Sequence, residues 1–201
     1  MAAQTAFRVS PALLLIAAVL LLRRKMQSNP APAPAPARGN VSPEDRAVVV
    51  AALVERGWPG AEVSKVIQIE SGWRTNARNP VSNASGLIQL MPAWFARHEF
   101  RSDLPTGSER AAAFRQLDAL GQLPWILTYF REVGRPWRVP GDTYLAVAAP
   151  AHVGAPNEKL VFAVGSKAWQ QNPAWREPEG GPITAGSIRR VLLRRLGGGS
   201  V

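Results

Sequence analysis

Residues 28–40, SNPAPAPAPARGN, limit what this 201-residue chain can build. Proline at every second position removes the backbone donors that a helix or sheet needs. It favours polyproline II, a semi-rigid spacer of about 3.1 Å per residue. Whatever folds must lie on either side. Before the spacer, residues 12–22 are an unbroken apolar run, with Arg8 ahead and Arg23, Arg24 and Lys25 behind. A membrane-spanning helix takes about 20 residues, reached here if the span starts at Ala2 and Arg8 snorkels. A secretory signal would carry its charge ahead of the run and a small-residue cleavage site after it. Here the heavier charge follows, and no such site adjoins Leu22. The expectation is an uncleaved single-pass anchor over residues 1–26, a Pro/Ala-rich linker over 27–40 and one folded domain over 41–201. The positive-inside rule then places the domain on the cytoplasmic face.

Cysteine is absent, which excludes disulfides, thiolate metal sites and a cysteine nucleophile. With only His98 and His152 as imidazoles, a histidine-rich metal centre is not expected. The formal charge is +10, and it sits at the ends. Arg8, Arg23, Arg24, Lys25 and Arg38 are unopposed in residues 1–40, and Arg189, Arg190, Arg194 and Arg195 crowd the last helix. The remainder is nearly neutral, so a nucleic-acid surface across the fold is not indicated. The terminal arginines read as a solvated helix face, with contact to phosphates or an anionic cell wall as the alternative.

The domain reads as mainly α, with at most a small hairpin. Ser42, Pro43 and the acids at 44 and 45 open a helix that Gly57 closes. A second helix covers roughly residues 61–71. Residues 108–133 read as one or two helices, with Pro124 expected to kink or split them. Asp142 is placed to cap a helix that Pro150 disturbs, and Thr184 starts the last one. Strand signals are confined to GLIQLM (86–91) and KLVFAV (159–164).

In the second helix Val63, Val66, Ile67 and Glu70 follow the spacing i, i+3, i+4, i+7 and share one face. That face should meet the core, which desolvates Glu70. Gly72 ends the helix, so Glu70 also lies near the negative pole of its dipole. Both effects disfavour the charged carboxylate and raise its pKa. A carboxylic acid still protonated near neutrality is what a general acid for glycosidic cleavage requires. The ordinary alternative is a helix-end glutamate whose tip reaches water.

The surroundings favour the first reading. Glu70-Ser71-Gly72-Trp73, Asn76-Ala77, Ala84-Ser85-Gly86-Leu87-Ile88-Gln89 and Met91-Pro92 follow in order over about two dozen residues. This pattern resembles the signature of the lytic transglycosylases and goose-type lysozymes, which cut peptidoglycan and share an α+β lysozyme-like fold (the SLT domain). The resemblance implies that Glu70 is the catalytic acid/base and that Ser71 binds near the sugar or orients the site. It implies that Gln89 contacts the N-acetylated sugar from a short hairpin, and that Gly86 lets backbone approach substrate. Trp73 is the leading candidate to stack on a sugar, ahead of Trp94, Trp125 and Trp137. More weakly, residues 141–188 resemble the tail of transglycosylase-like domains in bacteriophage virion proteins. Many relatives carry a Tyr-Asn pair where this chain has Ala148-Ala149-Pro150, so Tyr144, one helical turn earlier, is the candidate substitute. Where relatives often show an acidic, calcium-loop-like run, residues 172–184 include Trp175, Arg176 and Gly180, which are poor oxygen donors, and no metal site is expected.

A two-carboxylate glycosidase needs a second acid about 5–9.5 Å from the first. Glu99, Asp103 and Asp142 are available, but nothing in the sequence marks them. A single-acid route fits better, needing no metal or cofactor. The resulting expectation is a peptidoglycan lytic transglycosylase of a phage particle, anchored in membrane and packed with other virion proteins, which opens the cell wall at infection. The alternatives are a hydrolytic muramidase, or a catalytically inactive structural or wall-binding virion protein.

Overall fold

In the computed structural model the described residues are 39–134 and 139–197. The expected anchor at 1–26, nearly all of the linker at 27–40, and Trp137 lie outside them. Among the described residues no helix is long and apolar enough to cross a membrane.

The described fold is mainly helical. In chain order it comprises α1 (Pro43–Val54), α2 (Gly60–Ser71), α3 (Pro92–Ala96), α4 (Gly107–Phe114), α5 (Ala119–Val133), α6 (Asp142–Ala148), β1 (Leu160–Phe162), α7 (Lys167–Gln171), β2 (Ile183–Thr184) and α8 (Ala185–Arg195). Short 3₁₀ turns occur at Pro150–His152, Pro173–Trp175 and Pro178–Gly180.

The helix starts follow local chemistry. The Ser42 hydroxyl accepts the Asp45 N–H at 3.0 Å, ahead of Pro43. Thr106 and Glu109 form a reciprocal capping box at the start of α4, and Asp118 caps α5 through the Gly121 N–H at 2.7 Å. The break between α4 and α5 therefore falls at residues 115–118. It does not fall at Pro124, which α5 carries inside it. Proline six positions past the cap removes one hydrogen bond near the helix start, which this helix tolerates.

The predicted GLIQLM strand is absent. Residues 86–89 are a tight turn between bridge positions Ser85 and Leu90, whose backbones pair at 2.9 Å in both directions. The two-stranded sheet lies elsewhere, with β1 and β2 antiparallel and about 20 residues apart in sequence. The KLVFAV segment supplies β1.

Two packing centres flank α2. α1 packs on α2 and α5, and α3 packs on α4. Phe95, Phe100 and Phe114 form an aromatic cluster there, with centroids 5.0–5.7 Å apart. On the other side, Val66 of α2 joins Tyr144 and Leu145 of α6 and Ile188 and Leu192 of α8 in a second apolar cluster. α2 thus links the two halves. Its Glu62 accepts the Gly141 N–H at 2.9 Å and so ties α2 to the start of α6.

The basic face expected on the last helix needs correction. Arg189 is 2% exposed and donates to Asp142 at 2.6 and 2.9 Å, and to Asn157 and the Ala155 carbonyl. Arg190 pairs with Glu177. Arg194 and Arg195 are exposed.

Candidate active site

Glu70 occupies the last turn of α2. The helix stops because Gly72 adopts φ 60°, which a residue without Cβ accepts easily. Val63, Val66 and Ile67, at 1%, 1% and 0% exposure, bury the face that Glu70 shares. Glu70 itself is half-buried: enclosed by protein yet still reachable. That enclosure raises its carboxyl from 4.5 to about 7, against a smaller opposing pull from a Tyr144 hydrogen bond.

Tyr144 comes from α6 and is 4% exposed. Its hydroxyl oxygen accepts the Trp175 indole N–H at 3.2 Å, while its proton faces Glu70. Burial, and then the nearby Glu70 charge, push the phenol well above its ordinary range. Tyr129, from α5, donates to the Ala146 carbonyl at 2.8 Å. It is pushed up to about 12, first by burial and then by the charges of Glu70 and Glu132. The chain has two tyrosines, and both feel Glu70.

The remaining residues singled out by the motif are placed differently. Ser71 is 2% exposed and donates to the Ile67 carbonyl at 3.0 Å, so its hydroxyl is engaged within the helix. Trp73, the leading stacking candidate, is 2% exposed with Arg46 lying over its ring at 5.3 Å. It is a core side chain on a left-handed backbone (φ 59°). Gly86 is buried at φ 78°, and a Cβ there would stand 2.5 Å from Phe114 Cε1 and 2.6 Å from Gln122 Oε1. Its bareness is required by the packing of Phe114 and Gln122 against it. Gln89 is half-buried and folds back on its own turn, donating to the Gly86 carbonyl at 3.0 Å. Trp94 is buried, donates to Glu132 at 3.0 Å and stacks on His98. Trp125 is half-buried against Phe100 and Trp94.

The candidate second acids are accounted for as well. Asp142 is buried against Arg189, Asp103 is exposed and paired with Arg101, and Glu99 is exposed. Among the described residues no three His, Asp or Glu side chains are grouped to hold a metal.

Gln122 escaped the sequence reading. It is 0% exposed. Its carbonyl oxygen accepts the Leu87 N–H at 3.0 Å, and its amide donates to the Thr75 carbonyl at 2.8 Å and the Phe114 carbonyl at 3.2 Å. One side chain thereby fixes the loop after Glu70 to α4 and α5. Its position was a usable signal, because Ala119, Gln122, Leu123, Ile126 and Phe130 form the buried stripe of α5.

A half-buried carboxyl raised to about 7, with a phenol hydrogen-bonded to it, has the properties a general acid/base needs. The family model for the transglycosylase SLT domain matches residues 48–115. No curated protein matches the chain. The family match supports placing this stretch with the lytic transglycosylases, which act on peptidoglycan. It includes Glu70 and the whole motif through Pro92 and ends just past α4, so Tyr129, Tyr144 and Trp175 lie outside it.

Proposed function

We propose that this chain is a peptidoglycan lytic transglycosylase that cleaves the β-1,4 bond between N-acetylmuramic acid and N-acetylglucosamine, with Glu70 as its catalytic acid and base. The observation that carries the reading is the Glu70 carboxyl, held at about 7 by burial while not fully enclosed. In this mechanism protonated Glu70 gives its proton to the glycosidic oxygen, the C1–O bond breaks, and the glucosamine leaves with a restored 4-hydroxyl. The acetamido group of the substrate shares the positive charge at C1. Glu70, now a carboxylate, takes the proton of the muramic C6 hydroxyl as O6 closes on C1, giving the 1,6-anhydro ring. Water is not consumed and Glu70 ends protonated. Tyr144 supports both halves. By donating to one carboxyl oxygen it leaves the acid proton to the other, and it stabilises the carboxylate in between. In this role it takes the place of the missing Tyr-Asn pair. The engagement of Asp103 with Arg101 and of Asp142 with Arg189 argues against a two-acid hydrolase that uses either of them.

The test is digestion of purified sacculi by the wild type and by Glu70→Gln, with product masses. Placed proton transfer contributes about 10² to 10⁴ in rate, so the variant should lose at least about 100-fold. Wild-type products should be anhydromuropeptides, one water lighter than hydrolysed ends. Hydrolysed ends alone indicate a muramidase, and an inert wild type indicates a structural or wall-binding protein.

We infer further that the enzyme belongs to a phage particle and opens the wall at infection, tethered by an N-terminal anchor. Support comes from the apolar run with its basic trailing flank, and from the likeness of residues 141–188 to virion transglycosylase tails. A resident wall enzyme would not face the cytoplasm, whereas a virion protein made in that orientation and packaged with membrane meets peptidoglycan from outside. Protease protection in membrane vesicles tests the orientation: a shielded domain in inside-out vesicles contradicts it.

A further inference from the structure

We propose that Trp175 is a positioning residue for the acid centre: its indole N–H fixes the Tyr144 hydroxyl so that the phenolic proton is presented to Glu70. An indole nitrogen only donates. Its 3.2 Å bond to Tyr144 therefore occupies the phenolic oxygen as acceptor, and leaves the phenol free to donate elsewhere. The partner in that direction is Glu70.

The turn that carries Trp175 is braced for this purpose. The Trp175 ring packs edge-on to Tyr144, with centroids 6.0 Å apart and planes at 89°, and lies nearly parallel to Phe162 of β1 at 6.5 Å. The next residue, Arg176, stacks on Trp169 at 3.7 Å and donates to the Trp169 carbonyl at 3.2 Å. The Trp169 indole in turn donates to the Gly181 carbonyl at 2.9 Å. The segment between β1 and β2 thus holds Trp175 in one orientation against the catalytic half of the molecule. Arg195 at the end of α8 favours the ionised Tyr144 phenol, and Tyr129 on α5 also feels the Glu70 charge. The role assigned to Trp175 rests on Glu70 being the acid, as proposed above, but its test does not depend on activity.

The experiment uses the full chain with ¹³C-labelled glutamate and follows the Glu70 carboxyl resonance with pH by NMR, assigned by its loss in Glu70→Gln. Tyr144→Phe should raise the Glu70 midpoint by about one pH unit, because a hydrogen bond to the charged form is lost. Trp175→Phe removes the indole N–H and keeps a smaller aromatic ring against Tyr144 and Phe162. It should raise the midpoint in the same direction by about half as much, and add nothing in the Tyr144→Phe background. An unchanged midpoint in Trp175→Phe, or full additivity in the double variant, overturns the proposal. A second measurement needs no Trp175 variant: the Trp175 indole proton should move upfield and exchange faster in Tyr144→Phe than in the wild type. An identical indole signal in both overturns the proposal too. A chain that titrates as expected yet cleaves no peptidoglycan would refute the functional reading and leave the positioning role standing.

Discussion

At the scale of single residues, burying Glu70 costs stability once its carboxyl ionises. Below 4.5 the carboxyl is protonated in both folded and unfolded chains, and burial costs nothing extra. As pH rises from there, the unfolded chain releases the proton while the folded chain holds it until about 7. Stability therefore falls through this window, by up to about 3 kcal/mol once pH exceeds the folded value. Glu70→Gln carries no such penalty. It should match the wild type in thermal melting near pH 4 and exceed it near pH 8. A lower melting temperature for the variant near pH 8 would mean that the carboxylate is comfortable where it lies. Glu70 was legible in sequence because helix periodicity alone sets it on a buried face. Tyr129 and Trp175 were not, because what matters about them is distant in sequence: Tyr129 interacts with Glu70, 59 positions away, and Trp175 with Tyr144, 31 positions away.

At the scale of elements, caps and terminators were readable where they act within four residues: Ser42, Thr184 and Gly72 do locally what their chemistry dictates, whereas Asp142, expected as a cap, lies inside α6 behind Gly141 and binds Arg189 instead. The GLIQLM segment misled because an apolar run of this length suits a strand or a buried turn equally well. What selects the turn is Gly86 at φ 78°, with Gln122 reaching across from α5 to the Leu87 N–H. Two predictions belong here. Gly86→Ala places a methyl 2.5 Å from Phe114 in a left-handed backbone, and should cost about 3 kcal/mol in urea denaturation. An unchanged midpoint would show that the turn has room. Gln122→Leu strips the Leu87 N–H and the Thr75 carbonyl of buried partners at once, and should cost about 2–4 kcal/mol by the same assay.

At the scale of the described domain, the two halves that flank α2 depend on ties distant in sequence. Arg189 and Asp142 join α8 to α6 across 47 positions in a nearly water-free setting. The sequence showed Arg189 only as one of four basic residues on a helix, since nothing local distinguishes a solvated arginine from a paired one. Removing one member of a buried pair leaves a bare charge, so Asp142→Ala should lose about 3–5 kcal/mol of stability. Loss below about 1 kcal/mol in chemical denaturation would mean that the pair is dispensable. The family match ends near residue 115, but the phenol that meets Glu70 and the indole behind it come from beyond that point. The proposed catalytic centre is therefore a property of the packed domain and not of the motif segment alone.

The central claim is that Glu70 acts as a proton donor because burial keeps it protonated near neutrality. The pH dependence of kcat/KM on soluble peptidoglycan fragments tests it most directly. The wild type should hold a plateau at lower pH and then decline about tenfold per pH unit above about 7, tracking loss of the Glu70 proton. Undiminished activity to about pH 9, or a Glu70→Gln variant as active as the wild type, would contradict it.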